Sequence, residues 1–146
     1  SVNHSSPPAD DPGALNYCAD DQVVALELSG SDLLALLECG VRDAYYLLTL
    51  SGGAVRYDGR RPAGRRVTGL TVGGAEVEPD RLYTIACSEI LARGAAGFAL
   101  MQGRTYRPVG ATVADLLCAH VKAGNSIQPA LDGRLVIEGA LPRERR

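Results

Sequence analysis

The stretch Val23-Val24-Ala25-Leu26-Glu27-Leu28-Ser29-Gly30-Ser31-Asp32-Leu33-Leu34-Ala35-Leu36-Leu37-Glu38-Cys39-Gly40 passes from a nearly continuous apolar run into an apolar pattern with helical spacing. The run 23–28 is broken only by Glu27 and suits a strand covered on at least one face. Ser31 is then placed to cap a helix reaching Cys39, with Leu33, Leu34, Leu36 and Leu37 on its buried side and Gly40 positioned to end it.

Downstream, strands come in runs. The β-rich segments 45–50 and 54–57 flank Gly52 and Gly53, and 67–72 and 75–77 flank Gly73 and Gly74, so two hairpins are expected. A further apolar strand, 82–87, follows the turn at Pro79 and Asp80, and Ser88 opens a short helical turn that stops at Gly94. Thr112 and Asp115 form a weaker version of the capping box, after which Val113, Leu116, Leu117 and Val121 repeat at helical spacing up to Gly124. A last short strand falls at 135–137. Helices set between runs of strands, without regular βαβ alternation, indicate an α+β fold and argue against a doubly wound nucleotide fold. The expected core includes Leu34, Leu37, Leu116 and Leu117.

The 146 residues fit one domain, with an irregular Pro-rich arm over 1–22, the folded body over 23–140 and a charged tail over 141–146. Hydrophobic residues at 46% and charged residues at 22% give a globular balance. No apolar run approaches the ~20 residues of a bilayer span, so no membrane partner is expected. Residues 1–13 are too polar for a signal peptide. A net charge of -2 gives no basis for nucleic-acid binding through phosphate neutralisation. Arg60, Arg61, Arg65 and Arg66 do cluster, and guanidinium groups can grip phosphate. Pro62 and Gly64 punctuate that cluster, which favours a solvated turn between two strands.

Catalytic groups are sparse. Nucleophilic chemistry needs a Ser or Cys beside a base, and the chain offers only His4 in the arm and His120 near a helix C-terminus, where a His commonly answers the dipole. Two histidines without ligand spacing cannot assemble a metal centre. The 94–97 stretch lacks both the Lys-Ser/Thr of a P-loop and a dinucleotide fingerprint. Cys18, Cys39, Cys87 and Cys118 have no zinc or redox spacing. Cys39 and Cys118 fall in apolar helical patterns as small buried hydrophobes, and disulfides are an option in an exported protein. The residues by themselves therefore describe an α+β domain without a catalytic constellation.

A family resemblance adds to this. The segment 24–33, the pair Tyr57-Asp58 followed by Arg61-Pro62-Ala63-Gly64-Arg65-Arg66-Val67, the strand Asp80-Arg81-Leu82-Tyr83-Thr84-Ile85-Ala86 and the loop Leu91-Ala92-Arg93-Gly94-Ala95-Ala96-Gly97-Phe98 occur in an order and spacing that resemble the C-terminal domain of the 5'-nucleotidase family. The ending Pro129-Ala130-Leu131-Asp132-Gly133-Arg134 agrees. The resemblance implies helices packed outside two mixed β-sheets, a four-layer domain that binds the nucleoside part of a nucleotide. It also implies a separate metallophosphoesterase domain, in cis or in trans, that holds the divalent metals and cleaves the phosphate. This chain would then carry no catalytic residue and no cofactor, and its protein would be periplasmic, extracellular or at the cell surface.

Carried over residue by residue, the family's base-stacking aromatic falls on Phe98, framed by Gly94 and Gly97. Its opposing aromatic falls at Leu47, beside Tyr46, and a Leu can cover a base face but cannot stack on it. The family's Gly-Gly-Asp-Gly becomes Gly94-Ala95-Ala96-Gly97, and an upstream substrate-binding Arg has no counterpart near Asn3-His4-Ser5-Ser6-Pro7. Weak nucleoside or nucleotide binding is one expectation. A degenerate relative serving as a binding or protein-interaction module is the alternative, in which Phe98 is simply a core residue.

Overall fold

A computed structural model describes residues 20–42, 47–124 and 130–141. Strand β1 (Gln22–Ser29) runs into helix α1 (Gly30–Arg42), as the opening stretch predicts. Then follow β2 (Gly53–Asp58), β3 (Val67–Val72), β4 (Ala75–Glu76), β5 (Leu82–Ser88), helix α2 (Glu89–Ala92), 3-10 turns at Ala95–Gly97 and Ala99–Met101, β6 (Tyr106–Thr112), helix α3 (Val113–Lys122) and β7 (Leu135–Glu138). The strands form two sheets. One has the order β5-β1-β6 and is antiparallel throughout; the other, β4-β3-β2-β7, is mixed, because β7 runs parallel to β2. The α+β class is therefore observed, with only the second sheet mixed.

The core lies where α1 meets both sheets. Val24, Leu26 and Leu28 of β1 are buried, and α1 contributes Leu33, Leu36, Leu37 and Val41. Val55 and Tyr57 of β2, Leu70 of β3, Phe98 and Met101 complete one cluster with Leu26, Leu28 and the α1 residues. Full burial of each aliphatic side chain stabilises the fold by about 1.5–3 kcal/mol. Gly30 sits at the strand–helix junction because a Cβ there would come within 2.1 Å of the Glu78 carbonyl oxygen.

Several expectations need correction. The cap of α1 is Ser29, whose Oγ accepts from the Asp32 amide at 3.1 Å, while Ser31 donates its hydroxyl to the Pro79 carbonyl. Gly40 is a buried helix residue and does not end α1, which continues to Arg42. The hairpin through Gly52 and Gly53 is absent among the described residues: both edges of β2 are taken, by β3 and by β7, so 47–50 remains irregular and packs its leucines against the core. Residues 45 and 46 lie outside the described residues. The second hairpin forms as expected, with Gly73 and Gly74 both at positive φ, as a tight two-residue turn requires. Of the arm over 1–22 only the last three residues are described, and Gln22 already belongs to β1; of the tail only Leu141 is described.

Arg66 is not part of a solvated turn. It is 7% exposed and its guanidinium donates to the Val41 carbonyl at 3.0 Å, the Arg42 carbonyl at 2.7 Å and the Arg61 carbonyl at 3.2 Å. Two of these are last-turn carbonyls of α1, where a cation also meets the negative end of the helix dipole. Arg60 and Arg61 do face solvent, beside Asp58. A charge run in sequence does not distinguish the one arginine that turns inward.

Helix α3 carries its capping box in full, Thr112 Oγ accepting from the Asp115 amide at 3.0 Å and the Asp115 carboxylate accepting from the Thr112 amide at 2.9 Å. Gly124 closes it with φ 79°. Its apolar stripe is nonetheless uncovered: Leu116 is 48% exposed and Leu117 54%, and Cys118 is exposed too. Leu34, at 42%, lines an open groove of about 350 Å³ between α1 and β3–β4. Helical periodicity marks an apolar face but not what stands opposite it, and no residue of α3 is buried. Leu116→Ala is accordingly expected to cost less than about 1 kcal/mol in urea denaturation, well short of the ~2–5 kcal/mol of a buried leucine. A loss inside that larger range would show that α3 is covered in solution.

Burial has a second measurable consequence. Tyr57 is fully buried, and desolvation, with a smaller contribution from the Glu38 carboxylate, pushes its hydroxyl up to about 12. The Cys87 thiol is pushed up to about 11, again mainly by burial. Folded values raised above the unfolded ones mean that this stability is complete below about pH 9 and is lost as pH climbs through about 11 to 12. Alkaline titration of tyrosine absorbance should therefore show a late-ionising component coincident with unfolding, and the Tyr57 contribution to it should vanish in Tyr57→Phe.

Candidate functional site

The loop after β5 is built from its caps outward. Ser88, in extended conformation, accepts the Leu91 amide on its Oγ at 3.3 Å and so starts α2, and Gly94 takes the left-handed conformation at φ 83° to leave it. Both features follow the sequence reading. Glu89 anchors α2 to β6: one carboxylate oxygen accepts the Tyr106 hydroxyl at 3.0 Å and the Arg93 guanidinium at 2.9 Å. The same two partners, Tyr106 first, hold the Glu89 carboxyl below the usual carboxylate range.

Gly94 is buried and close-packed, since a Cβ there would meet Gln102 Cγ at 2.5 Å and the Phe98 carbonyl oxygen at 3.0 Å. Gly97 is exposed at φ 85° with open space around it, so its requirement is backbone conformation alone. The loop's far end is fixed by Arg104, which donates Nε–H to the Leu100 carbonyl at 3.0 Å and Nη1–H to the Asp32 carboxylate at 2.8 Å. That guanidinium holds the Asp32 carboxyl below its ordinary value. Sequence spacing carries no sign of this pair, whose members stand far apart in the chain, nor of the Glu89–Tyr106 link.

Phe98 is 3% exposed and lies in the core cluster with Met101 and the α1 leucines. Leu47 is half-buried against the same cluster. Phe98, Gly94 and Leu47 are thus drawn to one region, but no ring face of Phe98 is presented to solvent. Tyr46 lies outside the described residues. An open groove of about 680 Å³ runs beside Arg104, lined by Ala25, Glu27, Thr84, Thr105 and Arg107 among others; the candidate loop glycines and Phe98 are not among its described lining residues. Among the described residues no group of three or more His, Cys, Asp or Glu side chains converges to hold a metal, and no helix is long and apolar enough to cross a membrane. His120 stands in the last turn of α3.

Two sheets that share a core with helix α1, and a glycine-framed loop closing on a buried aromatic, define an α+β domain whose distinctive element is that loop. A family model described as 5'-nucleotidase, C-terminal domain, matches residues 16–103, and the chain belongs to this family. No curated protein sequence matches it. Among solved structures it is similar to a 5'-nucleotidase precursor from Thermus thermophilus, at 25% identity and TM-score 0.76, covering 82% of this chain and 26% of that one. It also shares its fold with a Haemophilus influenzae NAD nucleotidase (12% identity, TM-score 0.72, 82% of this chain and 24% of that one). A Thermus thermophilus sulfate thiohydrolase is a third (18% identity, TM-score 0.64, 82% of this chain and 23% of that one). The chain spans about a quarter of the length of these relatives.

Proposed function

We propose that this domain is the substrate-recognition part of a nucleotide-hydrolysing metallophosphoesterase, with the divalent metals and the phosphate chemistry supplied by a catalytic domain in cis or in trans. The observation that carries this reading is the match over 16–103, which includes the glycine loop and Phe98. Resemblance to a precursor also favours export, to the periplasm or the cell surface. The ligand is a nucleoside or nucleotide held chiefly by stacking on Phe98, with Leu47 opposite and Gly94 and Gly97 shaping the loop. Stacking gives about 1–3 kcal/mol per base, and reaching a ring that is 3% exposed requires part of the surrounding packing to part. With no counterpart of the family's substrate-binding Arg to anchor the ligand, affinity is on the order of millimolar.

The burial of Phe98 also favours a second reading, in which the loop is purely structural and the domain is a degenerate interaction module. Under either reading the chain alone, incubated with nucleoside monophosphates and Mn²⁺, Mg²⁺, Co²⁺ or Zn²⁺, releases no phosphate. Two-metal hydrolysis needs a converging ligand set. Reproducible turnover abolished by a chelator would overturn the assignment of catalysis to another domain.

A further inference from the structure

We propose that Arg66 is a positioning residue for the recognition site, setting where the chain re-enters the core at Leu47. The inference rests on the recognition reading above. Its basis is the placement of one guanidinium: Arg66 precedes β3, yet it reaches the last two carbonyls of α1, at Val41 and Arg42, and also the Arg61 carbonyl in the β2–β3 loop. It is buried while it does so. A planar fork of donors can bind three carbonyls at once, which a lysine ammonium on a flexible stem does not reproduce.

What lies beyond α1 gives the clamp its meaning. Helix α1 is described to Arg42, and Leu47, Leu48 and Leu50, next among the described residues, pack against the cluster that contains Phe98. The segment 47–50 is not part of any strand, so no sheet ladder fixes its position. Its placement depends on apolar packing and on where α1 ends. A second contact braces the same helix: Glu38 Oε1 accepts the Val67 amide at 2.7 Å, one residue beyond Arg66. Val67 is in turn the register partner of Tyr57 on β2. Arg66 and Glu38 together lock the C-terminal half of α1 to the start of β3, and of the two only Arg66 holds the terminal carbonyls.

Arg66→Lys in the whole chain separates this role from a general contribution to stability. Native-state hydrogen exchange should accelerate about tenfold at the end of α1 and across 48–50, with the amides of β1 and β5 unchanged. Adenosine affinity, followed by NMR, should weaken about fivefold or more. A uniform acceleration over the whole molecule, or unchanged exchange at 48–50, would overturn the proposal, as would adenosine affinity equal to that of the unsubstituted chain. If the unsubstituted chain binds no nucleoside, the recognition reading fails on its own account and the local exchange pattern still decides whether Arg66 positions the segment. Should Arg66→Lys not fold, the unsubstituted chain is itself diagnostic: separately resolved, slowly exchanging guanidinium protons of Arg66 support the clamp, and a single averaged signal overturns it.

Discussion

Replacing Phe98 with Ala is expected to lower the unfolding free energy by about 3–5 kcal/mol, among the largest losses a single substitution in this domain can produce. The ring is 3% exposed and shares a cluster with Leu26, Leu28, Leu33, Leu36, Leu37 and Met101, so truncation removes both its transfer free energy and the contacts that line the space left behind. Marginal domains have only about 5–15 kcal/mol in hand, and a change of this size should move the urea midpoint strongly while leaving the slope unchanged. The measurement also bears on function. A loss below about 1 kcal/mol would mean that the free chain holds Phe98 at its surface, ready to meet a base, and that the packed arrangement is not the one in solution.

Gly94→Ala should also destabilise the loop severely, on the order of 3 kcal/mol. Two costs add. The left-handed conformation at φ 83° costs an L-residue about 1–2 kcal/mol, and overpacking a filled site costs about 1–3 kcal/mol. The second applies because the new Cβ would stand 2.5 Å from Gln102 Cγ, which can yield, and 3.0 Å from the Phe98 carbonyl oxygen, which is held in the backbone. Gly97→Ala is the control, since it meets the first cost but has nothing within 4 Å of the new methyl. Thermal denaturation of both variants should rank Gly94→Ala well below Gly97→Ala, and equal melting temperatures would contradict the close packing described at Gly94.

The parts of the fold legible in sequence were those fixed by local physics. The β1–α1 passage, the Gly73-Gly74 hairpin, the Ser88 cap and the Thr112–Asp115 capping box each follow from residues within a few positions of one another. What sequence did not disclose depends on distant partners. Leu116 and Leu117 have helical spacing, but only the tertiary structure shows that no layer covers them among the described residues. The hairpin expected at Gly52-Gly53 gives way to a parallel pairing of β2 with β7, far along the chain and invisible to turn chemistry. Arg66 differs from its neighbours Arg60, Arg61 and Arg65 only in where its backbone points it. At the candidate site, the glycines and Phe98 are marked by the family pattern, whereas the Asp32–Arg104 and Glu89–Tyr106 links that hold the loop have no local signature.

Nucleoside binding at the Phe98 loop, as proposed for this domain, is decided by titrating adenosine, uridine and their monophosphates into the chain while following the Phe98 and Gly97 resonances by NMR. Saturable shifts centred on these two residues are expected, with a dissociation constant on the order of millimolar, abolished by Phe98→Leu. Micromolar binding that survives Phe98→Leu would contradict the proposal by placing the ligand elsewhere, and the absence of shifts with every nucleoside would contradict it in favour of the degenerate module.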